Sequence, residues 1–113
     1  MTDPFNSALE NLAKYDDIKF LKHLFKNYYN LKKLGEMGNQ SAITIYMDLE
    51  WALNHHSIAY CQRKYIKEFL INKEKLVSLT SGTNLSQDDI YYFVNSGLLL
   101  ISRVLEDKKD DNC

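Results

Sequence analysis

The chain has 113 residues, 45% of them hydrophobic and 26% charged, and a net charge of −1. A chain of this length makes one domain that can bury its own core, and the composition excludes both a disordered chain and a membrane-embedded one. One proline, Pro4, and four glycines, Gly35, Gly38, Gly82 and Gly97, leave too little turn punctuation for a β-sandwich or barrel, so the expected fold is all-α.

Leu9, Leu12 and Ala13 give a brief helical pattern near the start. Asp16 or Asp17 then caps a stronger helix over residues 18–35. Its apolar face reads Ile18, Leu21, Leu24, Phe25, Tyr28 and Leu31, at helical spacing. Gly35 and Gly38 are expected to end it. Residues 8–35 thus form an N-terminal helical arm, rich in lysine. Asn39, Gln40 and Ser41 read as a connector.

Residues 42–53 place Ile45, Leu49, Ala52 and Leu53 on one helical face, with Asp48 and Glu50 outside it. Ile43-Thr44-Ile45-Tyr46 alone reads as a strand. A lone strand has nothing to pair with here, so helix is preferred. Trp51 is expected in the core or half-buried. Ser57 is the expected cap of a helix over 58–71, with Ile58, Cys61, Tyr65 and Phe69 as its stripe and Ile66 and Leu70 beside it. Asn72 is the expected cap of a short helix buried through Leu76, Val77 and Leu79. Ser81-Gly82-Thr83-Asn84 is a turn by residue type.

The last helix has the clearest start. Ser86-Gln87-Asp88-Asp89 is a capping box, in which Ser86 accepts from the amide of residue 89 and Asp89 reaches back. The helix is expected to run to Leu105 or Glu106, leaving residues 107–113 as an acidic tail. Apolar residues from Ile90 to Leu105 cover nearly every side of it. That pattern calls for burial all round or for a partner, with Tyr92, Leu99 and Leu100 as interface candidates and a homodimer as one outcome.

Charge is unevenly placed. Residues 18–35 carry Lys19, Lys22, Lys26, Lys32 and Lys33 with no acid, and residues 62–75 are also net basic. Residues 86–113 are net acidic. Cys61 reads as a small buried hydrophobe and Cys113 as exposed, which fits a reducing compartment. The N-terminus lacks a signal-peptide core, and no window approaches the roughly 18 apolar residues of a membrane span. The expectation is a soluble, cytoplasmic protein.

No sequence pattern supports catalysis. His55 and His56 are adjacent, so on a helix they point about 100° apart and do not share a metal. A phosphate-cradling glycine loop and a nucleophile elbow are both missing. The chain is read as a non-enzyme without metal, cofactor or small-molecule substrate.

A short helix, a turn and a capped helix opening Leu85-Ser86-Gln87-Asp88-Asp89-Ile90 have the outline of a helix-turn-helix. Residues 42–106 resemble the C-terminal, region-four DNA-binding domain of bacterial sigma factors. They are nearer to the small phage late-gene activators of the ArpU/RinA kind. The resemblance is carried by Ile45 to Leu53, by Gln62-Arg63-Lys64-Tyr65-Ile66, and by Leu85 to Ile90 running into Val94-Asn95-Ser96-Gly97-Leu98 and Ile101. It implies a sigma-like helix-turn-helix preceded by the lysine-rich helix, acting in a bacterial host cell on double-stranded promoter DNA or on RNA polymerase. Gln87, Tyr91, Tyr92 and Asn95 are then candidates for base edges. Arg63, Lys64, Lys73 and Lys75 are candidates for phosphates. The alternative is a protein–protein module on the same fold that no longer reads DNA, such as an inhibitor of a host nucleic-acid enzyme or defence nuclease, or a dimerising adaptor. The net charge and the acidic tip of the final helix motivate it.

Overall fold

A computed structural model describes residues 14–111, and among these all regular structure is helical. Leu9, Leu12, Ala13 and Cys113 lie outside the described residues. The elements are α1 (Ile18–Lys26), α2 (Tyr28–Glu36), α3 (Gln40–Leu53), α4 (Tyr60–Tyr65) continuing into a π-helical segment (Ile66–Ile71), α5 (Leu76–Thr80) and α6 (Gln87–Asp111).

Asp17 caps α1, its carboxylate accepting from the amides of Lys19 at 3.0 Å and Phe20 at 3.2 Å. The single helix expected over 18–35 is two helices. At Asn27 the side-chain amide donates to the carbonyl of His23 at 2.9 Å, while the backbone N–H turns to Leu24 at 3.0 Å. A short polar side chain competing for the helix's own acceptors closes α1 and starts α2. The apolar face survives the break: Leu21, Leu24, Phe25 and Leu31 have no exposure. This basic stretch is no detached arm, because α1 packs on α6 and on the π-helical segment.

Gly38, with φ +100°, turns the chain out of α2. Gly35 does not end the helix. It sits inside α2 at the crossing with α3. Asn39 belongs to α3 rather than to a connector, since its side chain caps the helix by accepting from the amide of Ala42 at 3.0 Å. Ile43 to Tyr46 are helical, and Ala42, Ile45, Leu49, Ala52 and Leu53 are buried. Trp51 is not in the core; it is 44% exposed, with the Lys108 ammonium 4.7 Å from its ring centroid.

Ser57 does not cap α4. Its hydroxyl bonds to Nδ1 of His55 at 2.8 Å, and the helix starts two residues later at Tyr60. There the Gln62 side chain accepts from the amide of Ala59 at 2.8 Å. After Tyr65 the ladder widens to the π spacing, with the amide of Asn72 donating to the carbonyl of Lys67 at 2.8 Å. Lys73, at φ +58°, then reverses the chain. Asn72 caps nothing downstream; its side-chain oxygen accepts from the Tyr29 hydroxyl at 3.0 Å. In α5 Leu79 is buried but Val77 is 67% exposed. Five residues make little more than one turn, so only one side of α5 meets the core.

The last helix is the axis of the domain. It packs on α1, α3, α4, the π-helical segment and α5, and Ile90, Val94, Leu98, Ile101 and Leu105 are sealed on that side. It continues to Asp111, past the expected end at Leu105 or Glu106. Residues 106–110 contain no proline or glycine. Lys108 is also held, donating to Asp48 at 3.0 Å. Asp48 accepts a second bond, from the buried Tyr15 hydroxyl at 2.8 Å. Ser102, inside the core, donates to the Tyr15 carbonyl at 2.7 Å. These contacts tie the chain before α1 to α3 and to the far end of α6.

Candidate nucleic-acid interface

The candidate region is α5, the turn after it and the first half of α6. In α5 the Thr80 hydroxyl donates to the Leu76 carbonyl at 3.1 Å, closing the single turn. Gly82 enters the left-handed region at φ +73°, which costs glycine nothing. Thr83 pins the turn from both sides. Its hydroxyl donates to the Thr80 carbonyl at 2.9 Å and accepts from the amide of Leu85 at 3.1 Å.

The capping box forms as the spacing requires. The Ser86 amide donates to Asp89 at 2.8 Å, and the Asp89 amide donates to the Ser86 hydroxyl at 3.2 Å. One of the two tip carboxylates is therefore occupied in the helix start. Asp88 beside it points to solvent.

All four base-edge candidates are exposed on this part of the helix. Gln87 and Asn95 are open to solvent, Tyr92 is 68% exposed and Tyr91 is 39% exposed. Tyr91 stands edge-on against Phe69, centroids 5.7 Å apart, which limits its freedom. Tyr92 leans on Phe93, itself stacked on Tyr65. Ile90, Val94 and Leu98 have no exposure and clamp the side of the helix away from Tyr92 and Asn95. At 100° per residue Tyr92 and Asn95 lie away from those three, whereas Tyr91 borders Leu98 and Gln87 shares their azimuth, exposed at the first position of the helix.

The phosphate candidates divide. Arg63 is turned inward: Nε donates to the Leu53 carbonyl at 2.8 Å, and one terminal nitrogen donates to His55 at 3.3 Å and Ile58 at 3.2 Å. It satisfies the open carbonyls around the end of α3, and those donors do not reach a phosphate. Lys64 is half-buried, with its ammonium 5.3 Å from the Tyr65 ring centroid. Lys73 and Lys75 are exposed. Lys73 also meets Lys26 in a shallow cleft of about 380 Å³, together with Asn30 and Asn72. The two basic stretches of the sequence thus converge there. Of the partner candidates, Leu99 is 50% exposed and Leu100 partly buried.

Gln62 acts beside Arg63. While its oxygen caps α4, its amide donates to the Ser96 hydroxyl at 3.1 Å, holding α4 to α6 beside Gly97. The Gln62-Arg63 pair therefore fixes the domain that presents α6. Sequence reasoning missed the Tyr15–Asp48–Lys108 cluster. Its one signal is an acid, Asp48, set beside the Leu49 and Ala52 stripe of α3, where a charge needs partners.

His55 and His56 follow the end of α3, so helical separation does not apply to them, and their rings stack at 4.2 Å. Among the described residues no group of three or more His, Cys, Asp or Glu side chains is placed to hold a metal, and no helix is long and apolar enough to cross a membrane. The chain matches no protein-family model, and no curated protein or solved structure is significantly similar to it.

Proposed function

We propose that the protein is a phage-type transcriptional regulator that binds double-stranded promoter DNA, or RNA polymerase at a promoter, through α5, the turn and α6. The observation that carries this reading is the presentation of α6. Its first turn is capped and open to solvent at Gln87, Tyr92 and Asn95 face away from the buried Ile90, Val94 and Leu98, and Tyr91 is exposed at the border between the two sides. A helix held this way can enter a major groove, where Asn and Gln pair with adenine edges. Lys64, Lys73 and Lys75 supply the phosphate contacts, and Arg63 does not.

Fluorescence anisotropy on duplexes from viral late promoters tests the reading. Three lysine contacts predict that log K falls with log salt at a slope of about −3. Asn95→Ala weakens the cognate duplex more than a scrambled one, whereas Lys75→Ala weakens both alike and flattens the slope. Binding indifferent to salt, or absent at low salt, refutes the DNA mode, and failure to bind RNA polymerase as well refutes the reading.

The second reading, a protein interaction module, is favoured by Tyr92 and Leu99 standing exposed on one side of α6. Co-purification of a host defence nuclease rather than RNA polymerase, lost in Leu99→Asp and accompanied by no duplex binding, distinguishes it.

A further inference from the structure

Asp88, Tyr92, Asn95, Leu99 and Arg103 are all exposed and lie along one line of α6. From Asp88 to Leu99 they are spaced four, three and four residues apart, the 3.5-residue repeat of a coiled-coil seam. The line faces away from Ile90, Val94, Leu98, Ile101 and Leu105, so it is the ridge furthest from the core. Its two ends carry opposite charges, Asp88 and Arg103.

We propose that this ridge pairs with the same ridge of a second copy, antiparallel, about a two-fold axis beside Asn95. In that register Asp88 faces the second copy's Arg103, and Tyr92 faces the second copy's Leu99. Each pair occurs twice, as a two-fold interface requires. All four match at once because Asp88 and Arg103 lie equally far from the axis, as do Tyr92 and Leu99. A parallel pairing sets Asp88 against Asp88 and Arg103 against Arg103. The sign of the end charges thus selects the antiparallel form, and opposed helix dipoles favour it too. The seam runs about 22 Å along the helix, enough for a reversible dimer rather than a permanent one. Pairing covers Tyr92 and Asn95, so the paired form withholds from DNA the same side chains proposed to read it. The inference itself rests on the exposed ridge alone and not on the DNA reading.

Sedimentation equilibrium of the full chain over a concentration series is the test. The expected result is a monomer–dimer equilibrium that Leu99→Asp shifts to monomer. Asp88→Arg alone and Arg103→Asp alone each weaken it by about tenfold or more, since each sets like charges together. The double variant Asp88→Arg with Arg103→Asp restores it. Urea midpoints of Leu99→Asp and Arg103→Asp, which alter exposed positions, stay at the parent value when taken at concentrations where the parent is monomeric, and so exclude misfolding. A monomer at every concentration overturns the proposal, as does a dimer indifferent to Leu99→Asp or one that the double reversal fails to restore. Anisotropy on the same samples separates the two ideas. A dimer obeying the charge rule without duplex binding refutes only the DNA reading, and duplex binding by a strict monomer refutes only the pairing.

Discussion

Gly35 on α2 lies against Ile43 on α3 so closely that a Cβ at position 35 would stand 2.8 Å from the Ile43 Cβ and 3.0 Å from its Cα. The absence of a side chain is what lets the two helices cross there. Alanine is ordinarily the better helix residue by about 1 kcal/mol. Here the obstacle includes backbone, which cannot step aside, and overpacking costs about 1–3 kcal/mol. Gly35→Ala is expected to lower stability by about 2 kcal/mol in urea unfolding. At Gly97 the nearest obstacle is the mobile end of Ile66, at 2.8 Å, with the Gln62 Cβ at 3.1 Å. Gly97→Ala is expected to cost less, about 1 kcal/mol. Equal losses at the two sites contradict this account.

Arg63 gives a second prediction. Its guanidinium serves three carbonyls, and hydrogen bonds to charged groups contribute about 1.5–3 kcal/mol. Arg63→Gln should lower the unfolding free energy by about 2 kcal/mol. Lys75→Ala, at an exposed position, should leave it within about 0.5 kcal/mol. A residue that only touches phosphate would leave the unfolding free energy unmoved.

Alkaline pH should act through Tyr15. Burial, and then the hydrogen bond and negative charge of Asp48, push its hydroxyl well above the ordinary tyrosine value of about 10. The raised folded-state value favours the neutral phenol. The resulting stability is complete below pH about 10 and is lost as pH rises above it, because only the unfolded chain ionises easily there. Tyr15→Phe removes this contribution to the slope. Urea midpoints measured on both sides of that pH should fall less for Tyr15→Phe than for the parent, and parallel slopes exclude Tyr15 as the source.

The capping box yields a coupled pair. Ser86→Ala and Asp89→Ala each remove one of two reciprocal bonds at the start of α6. Each should cost about 1 kcal/mol. The double variant should cost less than the sum, since either single change already loosens the box. Strict additivity would show that the two bonds act separately.

The residues explain what was legible in the sequence. Apolar spacing located the cores of α1 and α3, because burial at helical period leaves its mark whatever the neighbours are; in α6 apolar residues on nearly every side hid which face is buried. The Ser86–Asp89 box was legible because both partners lie within one turn. The break at Asn27 was not: the apolar stripe runs through it unchanged, and a single asparagine decides against one continuous helix. Val77 satisfies the same stripe rule as Leu79, but a one-turn helix has only one protected side. Of the candidate site, the set on α6 is named from the helix-turn-helix outline, and position alone would have placed Gln87 and Tyr91 with the buried side. The inward turn of Arg63 was not legible, since its acceptors lie five, eight and ten residues back, around a helix end that no local pattern marks. The resemblance quoted Gln62-Arg63 as a motif, and the geometry gives that pair scaffolding work.

The widened ladder at Ile66–Ile71 has a consequence for tracing the chain's ancestry. A π-helical turn is what an α-helix becomes when it absorbs one additional residue without looping it out. A protein of common descent whose corresponding helix stayed α-helical would be one residue shorter here. A gap placed in the following loop instead would offset every comparison between Ile66 and Leu76 by one position. Aligning such proteins correctly means placing the deletion inside the helix, where alignments are least inclined to open one. Removing one residue between Lys67 and Ile71 should likewise be tolerated better than the same deletion in α3.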